Sequence, residues 1–372
     1  MPRIAHVIST PSGVGGAERV VAALVRESAT RGWDSFVLNP FADDPDRADL
    51  AEICEPATYA GYRCQSWREV PGLRRWLGAS LDRLQPDIVH AHLFHAAVAT
   101  ASLGRRRRHH SVLTHHHGDH LVYLGRRFQT ALDRWAGRRY DVVVAISDAM
   151  RRFLITRYGY PESRIRLIRN GWEGSPAPHV GGGPNPRVVS VANFRHQKGH
   201  PVLLEAFASV HRARPEARLV LVGEGELQPE ITHTIARFGL QDAVDLRGRV
   251  TDVWEELAQA DVFALASLYE PLGIAVMEAM AAGLPVVSTR VGGIPELVAS
   301  GTTGVLVEPG DTDTMARELT RLLSDPSRRR ALGEAGRQAA EKMKAERTVD
   351  AYFRLYEELA ETKPDSPRGT SI

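Results

Sequence analysis

Apolar and polar positions along this chain follow two alternating patterns. Short runs rich in Val, Ile and Leu alternate with stretches in which apolar residues recur at helical spacing. The runs predict buried strands and the stretches predict amphipathic helices, and their alternation is typical of a parallel α/β fold. The predicted strands are 4–8, 35–38, 88–91, 111–114, 142–146, 165–168, 188–191, 219–222, 244–246, 262–266, 286–288 and 304–307.

One break interrupts this alternation and divides the chain. Residues 174–186, GSPAPHVGGGPNP, are dense in Gly and Pro and lack a periodic apolar pattern, which predicts an interdomain linker. We therefore expect one Rossmann-like domain at 1–173 and a second at 187–345, facing each other across a cleft. The polar residues 362–372 predict a disordered tail. The predicted helices are 16–31, 72–84, 94–103, 148–158, 202–212, 228–238, 253–258, 274–282, 313–324 and 327–356.

The stretch 269–287, YEPLGIAVMEAMAAGLPVV, carries two carboxylates around a helix start. The proline after Glu270 favours extended backbone there, and Gly273 lets the backbone approach a ligand before the helix begins near Ile274. The exposed N–H groups of a helix start form an anion site. Glu278 lies further along the helix. The stretch therefore offers acceptors for sugar and ribose hydroxyls and donors for a diphosphate, which are the requirements of a nucleotide sugar.

Cations and glycines follow other strands of the second half. Arg195 and Lys198 lie in the turn after its first strand, where a bidentate guanidinium and a mobile ammonium suit a diphosphate. In isolation they would be solvated surface charges, but the glutamate stretch in the same half needs a diphosphate partner. Gly223 and Gly225 end the next strand, and Arg249 follows the one after. These positions provide room for a base and a ribose.

The first half contains weaker signals. Gly15 and Gly16 open a helix after the first strand, where N–H groups suit a phosphate or a sugar, although a plain tight turn explains them equally well. The run His115, His116 and His117 follows a later strand. It predicts a hydrogen-bonding imidazole that lines the cleft, and a zinc site or incidental surface histidines are the alternatives.

No pattern in the sequence predicts a metal site or a disulfide framework. The Asp-x-Asp triplets at 44–46 and 311–313 lie in loops with no strand leading in, and adjacent histidines on a strand point to opposite faces. The two cysteines, Cys54 and Cys64, lack metal-like spacing, so reduced thiols are expected. We therefore expect no metal and no cofactor besides a nucleotide-sugar co-substrate.

Composition and charge are those of a globular protein rather than a nucleic-acid binder. The chain has 372 residues, of which 43% are apolar and 25% charged, and a formal net charge of +2. The N-terminus lacks a signal-peptide pattern and no apolar run is long enough for a membrane span, so we expect a cytoplasmic protein. The basic run Arg105 to Arg108 predicts a solvated loop, or alternatively a peripheral contact with an anionic membrane face or an acidic acceptor.

Together these motifs resemble the retaining group 1 glycosyltransferases of the GT-B fold, the class related to glycogen synthase. The resemblance covers about residues 1–345 and rests above all on Glu270 and Glu278, which are followed by AMAAGLPVVSTRVGGIPELV and TGVLVEPGD. The segments ISDAMRRFL, RLIRNG, NFRHQKG and LVGEGEL occur in the family's order. The resemblance implies two Rossmann-like domains and a final helix, 346–361, that crosses back to the first domain.

The resemblance also implies roles for the matching residues. Cations would stabilise the departing diphosphate, one glutamate would contact sugar hydroxyls and the other the ribose, and backbone N–H groups would hold phosphate or sugar oxygens. Arg249 would lie beside the base, and His117, with His115 and His116 as alternatives, near the donor sugar. The implied catalytic residues are His117, Arg195, Lys198 and Glu270. The implied donor-binding residues are Gly15, Gly16, Gly225, Arg249, Leu272, Gly273, Ile274 and Glu278.

The activity that the resemblance implies is transfer of a hexose-type sugar from a nucleotide-diphosphate sugar to a hydroxyl acceptor, with retention and without a metal. The NFRxxK form of the phosphate loop favours a UDP-sugar, and GDP-mannose is the alternative. The expected acceptor is a lipid-linked or polysaccharide intermediate, and a small natural product or thiol precursor is the alternative. Outside the enzymes, a catalytically silent sugar-nucleotide or glycan-binding protein with the same fold is the competing interpretation.

Overall fold

The chain folds into two compact units, which the computed structural model describes over residues 1–9, 15–40, 58–64, 69–104, 109–116 and 125–362. The first unit comprises Met1–Asn170 together with Ala345–Ile372, and the second comprises Gly171–Lys344. Cys54, the triplet 44–46, the run Arg105 to Arg108, His117 and residues 363–372 lie outside the described ranges.

All strands of the described ranges pair in parallel with their neighbours. The strands are β1 (Arg3–Ile8), β2 (Asp34–Asn39), β3 (Thr58–Gly61), β4 (Ile88–His92), β5 (His110–His115), β6 (Val142–Ala145), β7 (Ile165–Leu167), β8 (Arg187–Val191), β9 (Arg218–Val222), β10 (Val244–Gly248), β11 (Val262–Leu265), β12 (Val286–Thr289) and β13 (Val305–Val307). The first sheet has the order β3-β2-β1-β4-β5-β6-β7 and the second β10-β9-β8-β11-β12-β13. The strand order therefore reverses between β1 and β4 and between β8 and β11, where open α/β sheets bind ligands.

Helices connect these strands, which confirms the predicted parallel α/β architecture. They are α1 (Gly16–Thr30), α2 (Val70–Leu84), α3 (Phe94–Ser102), α4 (Arg127–Gly137), α5 (Asp148–Thr156), α6 (His200–Ala213), α7 (Gln228–Arg237), α8 (Val253–Ala258), α9 (Ile274–Ala281), α10 (Ile294–Leu297), α11 (Thr312–Ser324), α12 (Pro326–Ala340) and α13 (Ala345–Ala360). Ser147 begins α5 by accepting a hydrogen bond from the Met150 N–H at 3.0 Å. Asp311 begins α11 in the same way through Thr314 N–H at 2.9 Å, so its carboxylate serves as a helix cap.

The predicted linker is not a separate connection. Residues 174–186 lie within the second unit, where Val180 N–H donates to the Ala258 carbonyl at 2.8 Å and the His179 ring bonds the Ala260 carbonyl at 2.8 Å. The first division between the units falls between Asn170 and Gly171 rather than at 174. A segment without apolar periodicity can still dock through its backbone, and that pairing leaves no mark in the hydrophobic pattern.

The predicted helix 327–356 is broken in the structure. Helix α12 ends at Ala340, a 3-10 turn spans Glu341–Met343, and α13 begins at Ala345. Trp172 occupies this break, with its indole N–H on the Ala340 carbonyl at 2.7 Å and its backbone N–H on the Met343 carbonyl at 3.0 Å. The second division between the units, between Lys344 and Ala345, follows directly.

Helix α13 completes the core of the first unit. Tyr352, Phe353 and Tyr356 are fully buried and pack with Ile4 and Ile88 of the sheet. The second unit has its own core, formed by apolar residues of the sheet, α6 and α11. The structure also adds β3, α4 and α10, which were not among the predicted elements. None of the helices in the described ranges has both the length and the hydropathy of a membrane span.

Candidate functional site

Loops from neighbouring strands interlock at the carboxyl edge of the second sheet. The loop after β8 bonds the loop after β9 through Phe194 N–H and the Glu224 carbonyl at 2.9 Å. It also bonds the loop after β11, where Leu268 N–H donates to the Gln197 carbonyl at 2.8 Å. These contacts lie on either side of the β8/β11 reversal. The loops therefore build one continuous wall where this fold class binds ligands.

An ion pair joins the two sides of the reversal. The Lys198 ammonium, after β8, lies 2.5 Å from Oε2 of Glu270, after β11. The Glu270 side chain is 9% exposed and that of Lys198 is 21% exposed. Ser267 Oγ also reaches Glu270 Oε2, at 3.4 Å. An ammonium has three donors, so Lys198 can hold Glu270 and still bind an anion.

Close backbone approach holds Glu270 in place. Gly293 N–H donates to the Glu270 carbonyl at 3.1 Å, and a Cβ on Gly292, whose φ is +51°, would lie 1.8 Å from that oxygen. Gly199, with φ of +64°, is similarly close to Ala266, since its Cβ would lie 2.0 Å from the Ala266 carbonyl oxygen. Only glycine combines this conformation with this contact. The loop after β11 therefore depends on close contacts with a glycine of the loop after β8 and a glycine of the loop after β12.

The start of α9 provides backbone donors beside the ion pair. Gly273 precedes the helix with φ of +106°, in the left-handed region. The N–H groups of Leu272, Gly273 and Ile274 bond no other atom within the described ranges. These N–H groups and the positive end of the helix favour an anion. Glu278, buried on the same helix, completes the predicted stretch.

The remaining predicted residues of this unit lie around the same edge. Arg195 is exposed in the loop that carries Lys198, and Arg249 is exposed just after β10. Gly225 approaches the loop after β8 so closely that a Cβ would lie 2.5 Å from the Phe194 carbonyl oxygen. The structure thus brings Lys198, Glu270 and the start of α9 together. The two arginines lie further out along the same edge of the sheet.

His200 is a neighbour of this site that the sequence did not single out. It opens α6, is buried, and lies with its ring centroid 4.9 Å from that of Phe194. Burial, and then the charge of Lys198, lower the pKa of His200 to about 4. The imidazole is therefore neutral near pH 7, and Lys198 and Arg195 supply the positive charge of the loop.

The predicted residues of the first unit lie at the carboxyl end of β1 and β5. Gly15 N–H donates to the carboxylate of buried Glu18 at 3.0 Å, so the glycine turn is capped from within α1. Gly16 is exposed at the first position of that helix. His115 and His116 are buried rather than exposed, and burial lowers the pKa of both, that of His116 to about 3.

The structure contains a second histidine cluster, which the sequence analysis did not predict. Among the described residues, it is the group whose nitrogens are close enough together to hold a metal ion. His6, His90 and His92 offer ring nitrogens within 4.8 Å of one another. Both ring nitrogens of His90 are already bonded, Nδ1 to Tyr356 Oη at 2.6 Å and Nε2 to Thr114 Oγ1 at 2.7 Å. His90 is therefore part of the hydrogen bonding of the core, whereas His6 Nε2 and His92 Nδ1 in this cluster bond no other atom of the described residues. The alternating histidines of β4, in a strand predicted to be buried, were its sequence signal.

Comparison with known families assigns both halves of the chain to glycosyl transfer. Residues 178–339 match the model described as "Glycosyl transferases group 1", and residues 14–173 match that described as "Glycosyltransferase Family 4". The chain is 30% identical over 290 residues to N-acetyl-alpha-D-glucosaminyl L-malate synthase of Bacillus anthracis, covering 74% of each chain.

Solved structures share the fold. The chain superposes on sucrose-phosphate synthase from Thermosynechococcus elongatus with a TM-score of 0.83 and 24% identity, covering 96% of this chain and 99% of that one. It superposes on Anabaena HepE in complex with UDP and glucose with a TM-score of 0.79 and 22% identity, covering 96% and 99%. These structures establish the two-domain GT-B fold.

Proposed function

Because the chain belongs to the group 1 glycosyltransferases, we propose that it transfers a hexose-type sugar from a nucleotide-diphosphate donor to a hydroxyl acceptor, with retention of anomeric configuration. The observation that carries this proposal is the Lys198–Glu270 pair beside the start of α9. There the N–H groups of Leu272, Gly273 and Ile274 bond no other atom of the described residues. A cation, a carboxylate and a helix start within one loop system match a sugar diphosphate.

The chemistry then follows from charge. Breaking the glycosidic bond of the donor leaves negative charge on the diphosphate, and Lys198, Arg195 and the α9 start stabilise that charge. Glu270 accepts hydrogen bonds from sugar hydroxyls, and Glu278 from the ribose. The acceptor hydroxyl attacks on the face that the diphosphate leaves, and the leaving phosphate takes its proton. His117, Gly15, Gly16, Gly225 and Arg249 complete the proposed set.

A UDP-sugar is the donor that we favour. The phosphate loop has the form NFRxxK, and a structure with the same fold is described in complex with UDP and glucose. GDP-mannose is the competing donor. A screen of UDP-, GDP-, ADP- and TDP-sugars by thermal shift should show the largest stabilisation with a UDP-sugar, because a ligand stabilises the state that it binds.

Two acceptor classes compete. A lipid-linked or polysaccharide intermediate agrees with the large class of glycan-building relatives, which includes glycogen synthase of Mycobacterium tuberculosis at 28% identity. A small hydroxy acid or another small molecule is favoured by the relative named N-acetyl-alpha-D-glucosaminyl L-malate synthase. Incubation of the protein and the selected donor with each class, followed by mass spectrometry and NMR of the product anomer, distinguishes them. An inverted anomer would overturn retention.

We further propose that the reaction needs no metal. Lys198, Arg195 and the α9 start provide the positive charge that a divalent ion supplies in other transferases. Initial transfer rates measured with about 5 mM EDTA and with about 5 mM Mg²⁺ should agree within about twofold. A rate that collapses in EDTA and returns with Mg²⁺ would contradict this and reopen the acidic and histidine clusters as ligands.

A further inference from the structure

Helix α4 of the first unit presents an unusual exposed surface. Phe128 is 76% exposed. Among the large apolar side chains of the described ranges, Met1 has the same exposed fraction and the others have less. Arg127, Arg134 and Arg138 are also exposed. At 3.6 residues per turn these arginines lie along one line of the helix, and Phe128 and Trp135 lie beside them. The exposed face is therefore both basic and aromatic.

Acidic side chains of the described ranges do not pair with the arginines of this face. Within the described ranges, Arg127, Arg134 and Arg138 form no ion pair, and Arg134 uses its Nε–H only for the Tyr158 carbonyl at 2.8 Å. The acidic residue of the helix, Asp133, faces inward and is buried, with Tyr158 Oη donating to its carboxylate at 2.9 Å. The outward face thus offers cations without acidic neighbours on its own helix.

The inner face holds the helix firmly. Ala136 and Gly137 are buried, and a Cβ on Gly137 would lie 2.0 Å from Tyr160 Oη. Trp135 is half-buried, with the Arg139 guanidinium carbon 3.9 Å from its ring centroid. The aromatic and basic groups are therefore presented from a fixed position rather than from a free loop.

We propose that this face of α4 binds the surface of an anionic phospholipid bilayer. Arginines attract lipid phosphates and an exposed aromatic side chain enters the headgroup region, which is the chemistry of interfacial helices. Phe128 favours a membrane over a nucleic acid or an acidic protein, because arginines alone would serve those partners. The inference does not depend on which donor or acceptor the protein uses.

Vesicle sedimentation tests the proposal. The full-length protein should sediment with vesicles of phosphatidylcholine and about one third phosphatidylglycerol, stay in solution with phosphatidylcholine alone, and be released in ~1 M salt, where the Debye length is about 3 Å. Absence of sedimentation with the anionic vesicles at low salt would overturn it.

Matched variants locate the surface. Arg127→Gln with Arg138→Gln should weaken binding about 25-fold, since each arginine near an anionic surface contributes about fivefold. Phe128→Ser should weaken it about tenfold through lost apolar burial. The controls are Arg212→Gln with Arg330→Gln, exposed arginines of the second unit, and Val180→Ser, an apolar side chain that is 69% exposed. These should bind like the wild type.

Two results of this comparison would refute the assignment. If the arginine and Phe128 variants, shown by circular dichroism to be folded, bind as tightly as the controls, the surface lies elsewhere. If only the arginine variant loses binding, and the wild type binds double-stranded DNA equally well in the same salt, the face is a general anion-binding surface and the membrane proposal fails.

Discussion

Glu270 is a buried carboxylate that its neighbours hold in one position. It receives Lys198 at 2.5 Å, is contacted by Ser267, and has its own carbonyl bonded by Gly293. A buried charge is tolerated when it is paired and hydrogen-bonded, and such a pair is conformationally defined. We read Glu270 as a group that is positioned to accept hydrogen bonds from a sugar, with Lys198 shared between it and the diphosphate.

Replacing this carboxylate tests the site directly. Glu270→Ala should lower the rate of sugar transfer by at least about 100-fold, because it removes a positioned acceptor and frees Lys198 to turn into solvent. Glu308→Ala removes an exposed glutamate paired with Arg290 and should keep the wild-type rate. Initial transfer rates at saturating donor make the comparison. Near wild-type activity in a folded Glu270→Ala protein would exclude Glu270 from the active site.

At the scale of elements, the loops after β8, β11 and β12 together form the candidate site. Sequence periodicity predicted these strands and the glutamate stretch, and it also placed Arg195 and Lys198 after β8. It did not predict that Gly292 and Gly293, after β12, would support the Glu270 loop. That support depends on β12 lying beside β11, and strand order is a property of the sheet rather than of any local pattern.

Replacing two glycines by alanine tests whether the loop after β12 positions Glu270. Gly292→Ala places a Cβ 1.8 Å from the Glu270 carbonyl oxygen and should lower both the thermal midpoint and the transfer rate. Gly239→Ala imposes a similar positive φ, +67°, with no atom within 4 Å. It should cost only the left-handed strain, about 1 kcal/mol, and leave transfer unchanged. Equal effects of the two substitutions on the transfer rate would show that the β12 turn does not position Glu270.

At the scale of the whole molecule, the first unit is stabilised by imidazoles that must stay neutral. Burial lowers the pKa of His6 and of His116 to about 3, and it also lowers the pKa of His90 and of His92 well below the ordinary value. In the unfolded chain these groups return to about 6.5. The unfolded state therefore binds more protons below pH 6.5, and the stability that neutral histidines provide is lost as the pH falls toward about 3.

This difference predicts acid sensitivity. Between pH 7.5 and 5.5, His6 and His116 together should lower the free energy of unfolding by about 3 kcal/mol, or about 1.4 kcal/mol each. Urea unfolding at the two pH values measures it. His6→Gln should remove about 1.4 kcal/mol of the measured change. His233→Gln, at an exposed position, should remove none. An unfolding free energy that is equal at both pH values would mean that these imidazoles are protonated in the folded protein.

The sequence by itself determined the parallel α/β architecture and the group 1 resemblance, and it pointed to residues 269–287 as the candidate site. The spacing of apolar residues reflects local burial, and the positions of glycines reflect local backbone conformation. Both can therefore be recognised from neighbouring residues in the sequence. Only the tertiary structure decided which distant groups meet. Lys198 and Glu270 are 72 positions apart, and the break at Met343 depends on Trp172. The histidine cluster joins β1 to β4 through strand pairing. Such contacts arise from sheet order and packing, which a local pattern does not encode.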